Sequence, residues 1–275
     1  MKENNVHGPH NHTPEQADTK TSQTVVQTQI KPSAFESLDY VMLLLSYLIG
    51  AVSMVGMVLF LLNGSLNLVP LGLSETAALG LNACLCLAFF TQHSGMIRRS
   101  FRRMIEKLTG EIYYGPIFTI ASGFVLLIFV LFWQESAHIL ISPKGIIRWL
   151  LRAVFFLSFG GIFWGFWALD WYDPFGNTPI LRRLRGKAPP QPMPFFVRGP
   201  YRWVRHPLYL FVLLLIWSCP NLTVDRLLFN IMFTVWMIVA SLLEERDLIA
   251  EFGDAYREYQ RKVPMLIPRS IYPVQ

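Results

Sequence analysis

Charge is scarce in this chain of 275 residues: Asp, Glu, Lys and Arg make up 15% of it, whereas hydrophobic residues make up 53%. A soluble protein carries about 25% charged residues, so this balance excludes an ordinary soluble domain and points to the membrane. Cysteine is scarce as well. Cys84, Cys86 and Cys219 are odd in number, lie within or beside apolar runs and lack metal-ligand spacing. That excludes a disulfide scaffold and a zinc motif, and predicts buried free thiols and no metal. The first 35 residues contain no apolar h-region, so no cleavable signal is expected. No internal repeat is present. The net charge of +6 does not indicate nucleic acid, because the basic residues flank the apolar runs, where they orient a protein in a bilayer.

What is present is a series of apolar runs approaching or exceeding the ~18–20 residues that cross a membrane as a helix. The polar tail, residues 1–37, carries His7, His10 and His12. Its small apolar surface cannot offset the entropy of ordering, which predicts disorder; metal binding by the histidines is the alternative. A first span runs from about Tyr40 to Leu62, with Gly50, Ser53 and Gly56 available for close helix packing. Asn63 to Glu75 has no Lys or Arg, whereas the second span, about Ala77 to Met96, is followed by Arg98, Arg99, Arg102, Arg103 and Lys107. The contrast places the second loop in the cytoplasm. From Arg98 to Leu108, Phe101, Met104, Ile105 and Leu108 recur at helical spacing between arginines, the pattern of a helix lying in the interface. Those arginines suit lipid headgroups, with a cofactor role as the alternative.

The third and fourth spans are expected over about Tyr114 to Trp133 and Ile146 to Leu169, joined by a short outer loop. Asp170 to Arg198 is the longest internal loop. Six prolines, at 174, 179, 189, 190, 192 and 194, exclude a continuous helix there and leave a lid or a mobile segment. Leu208 to Cys219 is then only twelve residues, about 18 Å of helix against the ~30 Å hydrocarbon core. Pro220 and Asn221 end it, and Thr223 to Leu243 is long enough to cross. These runs predict an all-α polytopic integral membrane protein of about six passages, the last two an unequal helical hairpin, with both termini cytoplasmic. Leu248, Phe252, Tyr256 and Tyr259 predict one cytoplasmic amphipathic helix from Asp247 to about Arg261, folded over the mouth. The chain thus divides into the tail (1–37), a membrane scaffold of four helices (38–170) and a catalytic region (171–275). No motif bears on oligomeric state.

The hairpin carries polar clusters at both ends of its arms. Pro207 fixes its own φ and disfavours helix at His206, so a helix starts there with His206 as its cap. Free N–H groups at that start, beside Arg202, Arg205 and His206, suit a carboxylate or phosphate. The opposite charge is Glu244 and Glu245. Adjacent helical side chains point about 100° apart, so one of the two can face a ligand while the other faces solvent or an arginine. A ligand with both a carboxylate and an amine fits such a divided pocket.

Gly199-Pro-Tyr-Arg-Trp-Val-Arg-His-Pro-Leu-Tyr209, Leu243-Glu-Glu-Arg-Asp-Leu248, Phe252-Gly-Asp-Ala-Tyr-Arg-Glu-Tyr259 and Val263-Pro-Met-Leu-Ile-Pro268, in this order, resemble the membrane methyltransferases related to isoprenylcysteine carboxyl methyltransferase. Phe90-Thr-Gln-His-Ser-Gly-Met96, Phe132-Trp-Gln134 and Asp173-Pro-Phe-Gly176 resemble a narrower branch, the methanethiol S-methyltransferases and their NnrU-type relatives. One departure is Lys262, where the carboxyl methyltransferases usually carry arginine. The resemblance implies S-adenosylmethionine as cofactor, held by Tyr201, Arg202, Arg205, His206, Pro207, Leu208, Tyr209 and Glu244 or Glu245. It implies a small thiol such as methanethiol as acceptor, small and apolar enough to reach the site through lipid. The short loops and the polar, unprocessed N-terminus favour a bacterial inner membrane. A thiol reacts as thiolate, whose population a positive charge such as Arg205 raises. His93, at the end of the second span, is a candidate to orient or deprotonate it, with a structural histidine as the alternative. The same fold acting on a prenylcysteine carboxylate or a phospholipid amine, and a non-catalytic NnrU-like membrane protein, are the other readings.

Overall fold

A computed structural model describes residues 34–169, 173–188, 195–270 and 272–273. His7, His10 and His12 lie outside the described residues. Helices dominate: α1 (Ala34–Asn63), α2 (Glu75–Ile97), α3 (Arg99–Thr109), α4 (Tyr114–Phe132), α5 (Gly145–Ala168), α6 (Thr178–Leu184), α7 (Pro207–Trp217), α8 (Val224–Phe252) and α9 (Asp254–Lys262). The one ladder among the described residues pairs β1 (Ile139–Ile141) antiparallel with β2 (Leu222–Thr223). Four helical stretches are long and apolar enough to cross a membrane: Glu36–Asn63, Glu111–Phe132, Gly145–Ala168 and Val224–Phe252. α7 is apolar but short, with 11 residues.

The core lies where α1, α2, α4 and α8 meet. The ring of Phe60 sits edge-on to Phe129, Trp133 and Phe229, with centroids 5.7, 5.4 and 5.3 Å away. Such edge-to-face pairs add to the apolar area that the rings bury. One end of this core is closed by a polar layer. Trp133 Nε1 donates to Asp225 Oδ2 at 2.8 Å, and Arg226, 1% exposed, donates to the carbonyls of Phe60 and Leu61 at 3.1 and 3.2 Å. Asn82 donates to the Gln134 carbonyl, and the Gln134 backbone N–H returns the bond. The Phe132-Trp-Gln motif therefore locks α2, α4 and α8 together. From Arg226 to Glu245 along α8 is about 28 Å at the helical rise. That is close to the ~30 Å thickness of a hydrocarbon core.

The Asp173-Pro-Phe-Gly motif docks the following loop onto the scaffold. Asp173 caps α6 by accepting from the N–H groups of Asn177 and Thr178 at 2.9 and 2.7 Å. Phe175 presses its ring against Gly50, and its carbonyl accepts from Thr119 Oγ1 at 2.9 Å. Gly115 and Gly176 meet backbone to backbone: a Cβ on Gly115 would lie 2.4 Å from the Gly176 carbonyl oxygen. On the far side, Gly161 and Gly165 of α5 receive Phe211 and Leu208 of α7, so their small-residue spacing serves contact within the chain.

One expectation needs correction, and two loops carry structure that the sequence reading left open. The helix expected over Asp247 to Arg261 is broken, because α8 continues to Phe252 and Gly253, at φ +58°, turns the chain before α9. A non-glycine residue is strained in that conformation. The long internal loop contains α6, which is possible because Pro179 falls in its first turn, where proline lacks no needed N–H. The loop between α4 and α5 pairs with the turn between α7 and α8 through β1 and β2.

A Gly115→Ala substitution is expected to cost about 1–3 kcal/mol by overpacking. Gly80, whose Cβ would meet nothing within 4 Å, is the control: Gly80→Ala should be neutral or stabilising by about 0.5–1 kcal/mol. Thermal denaturation in detergent, followed by loss of the monodisperse peak on gel filtration, measures both.

Candidate functional site

The site forms where the chain entering α7 meets the end of α8. Pro207 is the first residue of α7, and His206 precedes it at φ −121°, ψ 65°, outside the α region that a following proline disfavours. The two residues before Pro207 are held by the C-terminal segment: Arg205 N–H donates to the Pro264 carbonyl at 2.9 Å and His206 N–H to the Met265 carbonyl at 3.1 Å. The Val-Pro-Met-Leu-Ile-Pro stretch is therefore paired to the Arg-His-Pro stretch backbone to backbone.

Beneath this contact lies a nearly buried ion pair. Arg205 Nε donates to Glu245 Oε1 at 2.6 Å, the two side chains being 11% and 9% exposed. The guanidinium also donates to the carbonyls of Gln260 and Val263. Glu245 accepts from Gln260 Nε2 at 2.7 Å through Oε2, and its Oε1 lies 3.1 Å from His206 Nε2. Nε and Nη1 of Arg205 and both oxygens of Glu245 are thus engaged within protein, the kind of compensation that a buried charge pair requires.

Glu244, one residue earlier, points elsewhere. Its Oε2 accepts from Tyr209 Oη at 2.9 Å and stands 3.8 Å from His206 Nδ1, and its side chain is 47% exposed. Glu244 lines a cavity of about 320 Å³ together with Arg205, His206, Pro207, Leu208 and Tyr209. Its aromatic wall comes from Phe195, Phe196, Tyr201, Phe252, Tyr256 and Tyr259, and Leu169 and Leu248 complete it. Burial pushes the phenols of Tyr201, Tyr256 and Tyr259 up, reinforced respectively by the charges of Glu244 and Glu245 and by the Tyr256 phenol. They stay protonated at neutral pH. Tyr259 donates to the Tyr201 carbonyl at 2.6 Å, tying α9 to the 3-10 turn Gly199–Arg202.

The structure brings most of the sequence-derived candidates together but divides their work. Tyr201, Arg205, His206, Pro207, Leu208, Tyr209 and Glu244 reach the cavity. Glu245 lies behind it, committed to Arg205. Arg202 lines an adjoining pocket with Val197, Glu258 and Lys262. Lys262, the departure noted above, pairs with Glu258 at 3.2 Å. His93 does not line the cavity. Its ring packs against Phe89, Phe118 and Trp236 at 5.2, 5.1 and 5.7 Å. Trp236 is eight residues before Glu244 on α8, about 12 Å down the helix. Phe195, Phe196 and Gln260 were not among the candidates. The paired aromatics after the proline cluster were a usable signal; Gln260, one polar residue among many on α9, carried none.

The cavity's charge balance limits its chemistry. Arg205 and Glu245 compensate each other, which leaves the Glu244 carboxylate among aromatic faces. A carboxylate with aromatic rings is a receptor for an organic cation, ammonium or sulfonium. Where α7 starts, the N–H groups of its first turn lie outside the helical ladder and suit a carboxylate.

Sequence comparison places the chain beside methyltransferases. It is 36% identical over 200 residues to methanethiol S-methyltransferase 2 of Bradyrhizobium diazoefficiens, covering 73% of this chain and 76% of that protein. It is 32% identical over 194 residues to a methanethiol S-methyltransferase of Mycobacterium tuberculosis, covering 70% and 78%. A weaker similarity, 24% over 190 residues, links it to nurim of Rattus norvegicus, covering 64% of this chain and 70% of that protein. No family model and no solved structure matches the sequence.

Removing one partner of the buried pair, as in Arg205→Ala, is expected to cost about 3–5 kcal/mol by leaving Glu245 uncompensated. Glu244→Gln, at an exposed position, should leave the unfolding temperature within a degree or two of wild type, as surface changes stay within about 0.5 kcal/mol. Differential scanning fluorimetry in detergent compares the two.

Proposed function

Because this chain belongs to the methanethiol S-methyltransferase family, we propose that it transfers a methyl group from S-adenosylmethionine to methanethiol, giving dimethyl sulfide. The observation that carries the cofactor reading is the cavity itself: one carboxylate, Glu244, among aromatic rings, next to the start of α7. That donor set fits a ligand with a sulfonium, an ammonium and a carboxylate. Glu244 would take the cationic end and the first-turn N–H groups of α7 the carboxylate, between the rings of Tyr201, Tyr209 and the Phe195–Phe196 wall. The bound cofactor supplies an activated methyl on a good leaving group.

The residues of this chain then have little covalent work. They align the acceptor, exclude water and leave the thiol as thiolate. The apolar wall suits a small apolar thiol and does the excluding. Arg205 is the candidate to stabilise a thiolate, but its charge is already matched by Glu245, so we assign it to holding the site together. His93 we assign to packing, given its aromatic surroundings. Four apolar spans support an integral membrane protein. We propose that α2 and α7 complete about six passages, with α7 and α8 as the unequal hairpin and α9 on the cytoplasmic side of a bacterial inner membrane. The arginines of α3, with Met104 and Leu108 exposed between them, support its lying in the lipid interface.

Membranes containing the protein, given S-adenosylmethionine and methanethiol, are expected to release dimethyl sulfide detectable by headspace gas chromatography. Glu244→Gln should raise the cofactor KM about 10–100-fold, the worth of one charged hydrogen bond. No dimethyl sulfide despite calorimetric binding of S-adenosylmethionine would reject methanethiol and direct the assay to prenylcysteine and phospholipid acceptors.

A further inference from the structure

Glu245 does more than neutralise Arg205. A carboxylate paired with a guanidinium accepts hydrogen bonds and cannot donate them. The contact of 3.1 Å between its Oε1 and His206 Nε2 therefore places the imidazole hydrogen on Nε2. In the neutral ring the lone pair is then on Nδ1. That atom lies 3.8 Å from Oε2 of Glu244, which lines the cavity as His206 itself does, and His206 is 5% exposed. The ring cannot swing away freely, since Tyr209 stacks on it at 5.5 Å with planes 15° apart and its backbone N–H is tied to Met265.

We propose that His206 is the catalytic base of this site, taking the acceptor's proton on Nδ1, and that Glu245 is the positioning residue that holds it in the required tautomer. The inference rests on the thiol methyltransferase reading above and names the residue that prepares the nucleophile. The step balances simply. The S–H bond of the thiol breaks, its electron pair stays on sulfur, and the proton passes to Nδ1; the imidazolium later returns it to water through the side of the cavity where Glu244 is exposed. The freed sulfur pair is the one that bonds to the transferred methyl. A carboxylate behind an imidazole that carries the proton in front is the general arrangement for keeping a base oriented and stabilising its charged form. His93 lacks such a partner: its Nδ1 is buried with no hydrogen-bond partner among the described residues.

The test uses two acceptors that differ in whether a proton must be removed. Methanethiol is mostly protonated at neutral pH, whereas methaneselenol is ionised and needs no base. In His206→Gln the amide Nε2 can keep the bond to Glu245 while nothing replaces Nδ1. The variant should lose about 10²–10⁴-fold in kcat with methanethiol and keep methaneselenolate turnover within a few-fold. Cofactor is kept saturating for each protein, so a change in cofactor affinity drops out of the ratio. One further readout does not depend on turnover. The proton taken up when wild type binds methaneselenolate, read from the dependence of binding enthalpy on buffer, should vanish in the variant. Glu245→Gln should shift the thiol-to-selenolate ratio in the same direction. An equal loss with both acceptors would overturn the proposal and leave His206 a binding residue. A Glu245→Gln protein with an unchanged ratio and lowered stability would overturn the positioning role. Wild type that methylates neither acceptor while binding S-adenosylhomocysteine would instead reject the thiol reading on which this one stands.

Discussion

The Arg205–Glu245 pair is the contact on which the site depends, because it joins parts of the chain that no local interaction would bring together. Arg205 precedes α7, Glu245 is near the end of α8, Gln260 is on α9 and Val263 begins the C-terminal segment. Their hydrogen bonds converge on two nearly buried charges. Such a pair contributes little net stability over an apolar replacement but is costly to break, so it acts as a geometric constraint. It sets the rotation of α8 about its axis at this level. With Glu245 turned inward to Arg205, Glu244 is turned about 100° away, into the cavity.

That constraint works because the other end of α8 is held just as firmly. Asp225 and Arg226 engage Trp133, Ser136, Phe60 and Leu61 in a buried layer. About 28 Å of helix separates the two layers, and the aromatic core of Phe60, Phe129, Phe229 and Phe233 packs next to the Asp225–Arg226 layer. In lipid, where apolar surface alone does not drive helices together, close packing and satisfied polar groups are what hold a bundle. Both are present here. The close approaches at Gly50, Gly115 and Gly161 supply the first, and the two polar layers supply the second.

The chemistry follows from how charge is distributed between adjacent residues. Had both glutamates faced the cavity, it would hold two carboxylates with no cation to offset the second. With one compensated, the cavity keeps a single carboxylate to receive a cation and a histidine whose free nitrogen faces the same space. Aromatic side chains from α8, α9 and the segment after the proline-rich loop provide a wall of low polarity around them. Methyl transfer makes its main demands on alignment and desolvation, and this wall addresses both.

Much of this was legible in the sequence. Apolar runs located the helices, Pro207 located the start of α7, and the spacing of Leu248, Phe252, Tyr256 and Tyr259 located the apolar face that closes the cavity, since these depend on local periodicity and backbone restriction. The break at Gly253 was not read, because an isolated glycine in a helical pattern ends a helix only where the tertiary structure favours a turn. His93 illustrates the other limit: a polar residue at the end of an apolar helix looks functional until its neighbours are known to be Phe89, Phe118 and Trp236. The sequence by itself determined that Arg205, His206, Glu244 and Glu245 would gather where the start of α7 meets α8, because hydrophobic length and a proline-marked turn leave the chain few other paths. Only the tertiary structure decided which glutamate faces the cavity, whether Arg205 is available to a ligand and which nitrogen of His206 is free. Those outcomes depend on helix rotation and on hydrogen bonds from residues 15 to 58 positions away, which local pattern does not encode.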